Sequence, residues 1–247
     1  MKNLRITASI FLVSVLCMAG AVQRGWCLSV SPPRVEISAA PGKTAHGVLT
    51  VANPHNDVAT VSMRVEERGG LSAVECFEFS PREFDIKRFE VKEIGYTVTV
   101  PTTAKGELSV MVFIEAKSKE GSTGAIGVAT SIGVPIYLAV KGTETFAAAI
   151  ETLTAKDNTP LLLEIAIRNK GNVHIRPQGD IAISTLKGER LLRLEVNRFD
   201  YPVLPESSRT LEIRSERGLG KGEYKADIHL KYGNNRELTK RMNLKID

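Results

Sequence analysis

The stretch Ala125-Ile126-Gly127-Val128-Ala129-Thr130-Ser131-Ile132-Gly133-Val134-Pro135-Ile136-Tyr137-Leu138-Ala139-Val140 alternates branched or apolar side chains at even positions with mostly small ones at odd positions. A period of two sends successive side chains to opposite faces of an extended chain, so these residues predict a β-strand and not a helix. Counted from Ile126 to Val140 at about 3.3 Å per residue, the strand would reach roughly 50 Å, well beyond the common length of five or six residues. A row this long needs something to accept it. In one account the strand bends at Gly133 or Pro135, one half completing its own sandwich and the other packing at a domain junction. In the other, part of the row is offered to a partner protein as an added strand. Pro135 has no N–H to give to a ladder, so the strand should be an edge or a break there.

The same alternation extends outward in both directions. Before residue 125, Val61, Met63 and Val65 oppose Thr60, Ser62, Arg64 and Glu66. Tyr96, Val98 and Val100 form a second row and Leu108, Val110, Val112 and Ile114 a third. With the segments around Val35–Ile37 and Val48–Val51, about seven strands precede residue 141, the number expected of an immunoglobulin-like sandwich. After it the pattern restarts, with rows at Leu161–Ile167, Ile181–Ile183, Leu192–Val196, Leu211–Ile213, Tyr224–Tyr232 and Met242–Ile246. Gly233-Asn234-Asn235 joins the last two as a hairpin. The prediction is an all-β chain of two immunoglobulin-like β-sandwich domains after an N-terminal signal peptide, divided as 1–27, 28–141 and 142–247. Lys141-Gly142-Thr143 is the hinge, and its shortness predicts that the domains touch. An outer-membrane barrel is disfavoured. Aromatic residues make up 6% of the chain, and the outward row Lys225, Asp227, His229 and Lys231 is charged where lipid would demand an apolar band.

Lys2 and Arg5 followed by the largely apolar Ile6–Val22 read as a secretory signal, with cleavage after Ala21 or, preferably, after Cys27. Removing residues 1–27 takes away Lys2, Arg5 and Arg24 and no acid, lowering the formal charge from +5 to +2. No dense basic patch with interleaved aromatics remains, so nucleic acid is not an expected partner. The expected setting is the periplasm or another exported location, without membrane contact beyond the signal segment. Of three cysteines only Cys76 is certain to persist in the mature chain, which excludes a disulfide framework.

Catalytic text is missing. The chain has no GxSxG, phosphate-loop, HExxH or CxxC pattern, and Gly218-Leu219-Gly220-Lys221-Gly222 precedes a strand rather than a phosphate-binding helix. His46, His55, His174 and His229 are scattered singly and read as surface residues. We therefore expect no enzymatic activity, no cofactor, no metal and no small-molecule substrate.

In order along residues 28–141 come Pro33-Arg34-Val35, Pro41-Gly42, Val51-Ala52-Asn53-Pro54, Phe79-Ser80-Pro81-Arg82-Glu83-Phe84, the strand Tyr96–Val100 closed by Pro101, and the long alternating strand. This succession resembles the periplasmic chaperones of the chaperone–usher pilus pathway. The resemblance implies protein subunits of the pilus or cell envelope as partners, bound by β-strand addition. The alternative is an exported immunoglobulin-like interaction module without chaperone activity. In that family two basic residues in a cleft grip a subunit's terminal carboxylate, and the last strand of the first domain is lent to the subunit. Arg34 matches the first basic residue, whereas Pro135 stands where the second belongs, and Lys141 is the nearest substitute. The lending residues would be Ile126, Val128, Thr130 and Ile132, with Val134 nearer the hinge.

Overall fold

The computed structural model describes residues 28–68, 73–119, 129–158 and 160–246. Residues 1–27, expected to be a signal segment, and the candidate lending positions Ile126 and Val128 lie outside them. Among the described residues the only helical element is a single 3₁₀ turn at Val74–Cys76.

Nine strands build the first sandwich. One sheet runs β1 (Ser29–Ser31), β3 (Thr44–Ala52), β7 (Val91–Thr99) and β5 (Phe77–Ser80). The other runs β2 (Val35–Ala39), β9 (Ala129–Val140), β8 (Glu107–Ser118), β4 (Ala59–Glu67) and β6 (Glu83–Ile86). The inward rows are those the alternation marks, because burying one face of each pleated strand is what removes its apolar area from water. Val110, Val112 and Ile114 on β8 are fully buried, as are Val134, Ile136 and Leu138 on β9. They meet Leu49, Val51, Ile94 and Val98 from the facing sheet.

The second sandwich pairs β10 (Ala148–Asn158), β11 (Leu161–Asn169) and β14 (Ser208–Arg214) against β13 (Arg190–Val196), β12 (Gln178–Thr185), β15 (Gly222–Tyr232) and β16 (Arg236–Ile246). Leu161, Leu163, Ile165 and Ile167 all reach zero exposure. The fully buried Asn169 is satisfied: its Nδ2 donates to the carbonyls of Val173 at 2.8 Å and Val203 at 3.0 Å, and its Oδ1 accepts from Gly171 N–H. That removes the penalty of an orphan polar group and pins two loops. The β15–β16 hairpin turns at Gly233, Asn234 and Asn235, all with positive φ, the conformation for which glycine and asparagine are suited.

The long strand neither bends nor breaks at Gly133 or Pro135 over its described length. It pairs with β8 continuously from Lys117↔Ala129 to Glu107↔Ala139. Parallel β2 covers its other side only from Val35↔Ile136 to Ala39↔Val140. Pro135 sits one residue before that ladder begins, at the edge position its missing N–H predicts.

Candidate functional site

Two features of β9 define the site: a one-sided edge and an interdomain cleft. Among the described residues, no strand pairs with Ser131–Pro135 on the side away from β8. This part of the strand is therefore an edge whose backbone can accept another chain. Its side chains are not free in the same way. Ile132 is half-buried and packs against the first core, and Val134 is fully buried within it. Thr130 is partly exposed opposite Ala116.

The cleft begins three residues past Val134. Because β9 alternates, Tyr137 points away from the core that buries Ile136 and Leu138, yet it is only 2% exposed. The second sandwich covers it. The His174 ring lies 4.1 Å from the Tyr137 ring, centroid to centroid, and the Arg176 and Arg68 guanidinium groups sit 5.6 and 5.4 Å from its centre. Burial raises the Tyr137 phenol above its ordinary pKa, with the two arginines pulling the other way.

Beside the ring, Glu107 at the start of β8 meets His174 across the domain boundary. Its Oε2 accepts from the His174 backbone N–H at 3.1 Å and lies 2.5 Å from Nδ1. With Glu107 as a carboxylate, which can only accept, Nδ1 is the donor in that contact. The Glu107 side chain is 2% exposed, and its second oxygen, Oε1, is buried without a donor among the described residues.

Arg34 emerges just before β2 and extends into the same cleft, but it is already occupied. Nη2 contacts Asp200 Oδ2 of the second sandwich at 2.8 Å, and Nε contacts Glu36 Oε1 at 3.2 Å. Arg176 joins the same two acids, with Nε 3.3 Å from Glu36 and Nη1 3.7 Å from Asp200 Oδ2. Its Nε is close enough to attract Glu36 but is misaligned for a hydrogen bond. Two arginines thus face two carboxylates, and the cleft carries no surplus positive charge from them. Lys141 is exposed beyond the end of β9 and uses its backbone N–H to bond Ala39.

Of the residues singled out in the sequence, Arg34 lies at the cleft, Thr130, Ile132 and Val134 lie on β9, and Ile126 and Val128 fall outside the described residues. The sequence reading missed Glu107, Tyr137, His174, Arg176 and Asp200. It took His174 for a surface residue, whereas only 12% of its side chain is exposed. The signal that could have found it is the aromatic Tyr137 breaking an otherwise small odd-numbered row. Among the described residues no group of His, Cys, Asp or Glu could hold a metal ion, and no helix is long and apolar enough to cross a membrane.

The sequence matches no family model and no curated protein. Solved structures do match. The YadV chaperone is 10% identical and superposes with a TM-score of 0.51, the match covering 88% of this chain and 99% of that one. A chain of the Salmonella enterica complex between the SafA pilin and the SafB chaperone is 14% identical, with a TM-score of 0.50 over 90% of this chain and 97% of that one. The fold is thus the two-domain, all-β, immunoglobulin-like architecture of these two chaperones, in keeping with the resemblance read from the sequence.

Proposed function

We propose that this chain is a periplasmic chaperone-like protein that binds pilus or envelope subunits by adding the edge of β9 to a subunit sheet that lacks a strand. The observation that supports it most is the one-sided pairing of Ser131–Pro135, a strand edge that lies next to a cleft between two sandwiches. Main-chain hydrogen bonds along such an edge supply affinity, and the alternate side chains supply specificity. In this reading residues 1–27 are a signal removed on export, 28–141 form the subunit-facing domain and 142–247 the second domain. Ile126, Val128, Thr130 and Ile132 would face the subunit, and Val134 would anchor the strand in its own core. No step here calls for a catalytic group or cofactor.

One observation favours the second reading, an exported interaction module without a chaperone cycle. Arg34 and the neighbouring Arg176 are neutralised by Asp200 and Glu36, and Pro135 supplies no basic side chain from β9. Co-production with a strand-deficient pilus subunit separates the readings. The chaperone reading expects a stable one-to-one complex with the strand-deficient subunit, lost once the missing strand is fused to that subunit. Binding indifferent to the fused strand would support the module.

A further inference from the structure

The second sandwich has its own open edge, far from the lending strand in sequence and on the other domain. β14 pairs with β11 from Arg168↔Ser208 to Leu162↔Arg214 without a register shift, and among the described residues no strand pairs with its other side. β13 is likewise the edge of the facing sheet. Between them lies a groove of about 540 Å³ that follows β14 from Arg209 to Arg214 and is bounded by Glu195 and the turn at 197–201. β14 has neither the proline nor the bulge with which natural edges are commonly blunted.

At one end of the groove the turn presents two aromatic rings to solvent. Phe199 is 73% exposed and Tyr201 46%, with their ring centres 6.0 Å apart. This turn is held rigid. Asn197, at positive φ, donates from Nδ2 to Tyr201 O at 2.8 Å and accepts from Tyr201 N–H at 2.7 Å, while Asp200 N–H closes on Asn197 O. Rings fixed before binding lose little conformational freedom when a partner covers them. Arg209 stacks on Tyr201 at 4.7 Å and Arg198 lies 5.9 Å from the centre of Phe199. Arg209 Nη1 donates to the Pro202 carbonyl at 2.9 Å, but neither guanidinium has a carboxylate partner among the described residues, whereas the neighbouring Arg214 is paired with Glu212 at 3.1 Å.

We infer that this groove binds an extended acidic segment of a partner protein, which adds a strand to β14. The segment's carboxylates would face Arg198 and Arg209, and an apolar side chain would lie over Phe199. The open ladder calls for an extended backbone, the two arginines without a carboxylate partner for negative charge, and the exposed rings for an apolar contact. The inference does not depend on the role proposed for β9.

The test uses two end-blocked nine-residue peptides, one alternating glutamate with valine and one alternating lysine with valine, added to the mature chain. Hydrogen exchange read by NMR reports the site. The glutamate peptide should bind and slow amide exchange within Arg209–Arg214, and Arg198→Glu or Phe199→Ala should each weaken it by at least about tenfold. Both side chains are at the surface, so these variants keep the fold. Failure of the glutamate peptide to bind, equal binding of the lysine peptide, or protection confined to β9 would overturn the inference.

Discussion

Arg34 of the first sandwich and Asp200 of the second form an ion pair 2.8 Å long across the domain boundary. Asp200 takes a positive φ in the same turn that carries Phe199 and Tyr201. An arginine that the chaperone resemblance assigns to a partner's carboxylate is thus held by a carboxylate of its own chain. With side-chain exposures of 45% and 27%, the pair works as a positional link more than as a source of stability.

A double-mutant cycle on Arg34→Ala and Asp200→Ala should give a coupling energy of about 1 kcal/mol or less, and one that shrinks as salt is added. Urea unfolding of the four proteins measures it. A coupling of more than about 2 kcal/mol would mean that the pair is a buried structural lock.

His174→Ala should destabilise the protein by about 1–3 kcal/mol, because it strips a donor from the buried Glu107 carboxylate and leaves only the backbone N–H. Glu107→Gln keeps an acceptor oxygen and should cost less. Denaturant titration of both variants provides the check, and a neutral His174→Ala would show that the contact contributes nothing net.

Gly106 has φ +72°, and a Cβ built on it would fall 2.6 Å from the Asn172 carbonyl oxygen of the second sandwich. Gly106→Ala should therefore cost about 1 kcal/mol or more from the backbone alone and also loosen the domain junction. Small-angle scattering should show a wider spread of interdomain angles. An unchanged scattering profile would refute the junction's dependence on this close approach.

Tyr137 supplies a pH prediction. Its folded-state pKa is raised by burial, so its share of stability is complete below the unfolded value near 10 and is lost as pH rises through the higher folded value. Tyr96 is raised by burial as well. Tyr137→Phe should therefore flatten the loss of stability above about pH 10, a change that alkaline unfolding curves would reveal. The same alkaline slope in wild type and variant would contradict a protonated, buried phenol.

The two sandwiches were legible because alternation is a local property. The rows Leu108–Ile114 and Leu161–Ile167 face inward as their period demands. Pro135 marked the end of the β2 ladder through the absence of a single N–H. The cleft was not legible, because Glu107, Tyr137, His174 and Asp200 are brought together only by the packing of two domains, and no spacing in the chain encodes that meeting. Nor could alternation tell on which stretch β9 lacks a neighbour, which is a matter of where the short β2 stops.

The claim that β9 lends its edge is tested most directly by hydrogen exchange on a complex between this chain and a strand-deficient pilus subunit. The amides of Ser131–Val134 should exchange quickly on the unpaired side of the strand in the free chain and slow by at least about a hundredfold in the complex, while those of β8 change little. Unchanged exchange across Ser131–Val134 in a complex that nevertheless forms would contradict strand lending by this edge.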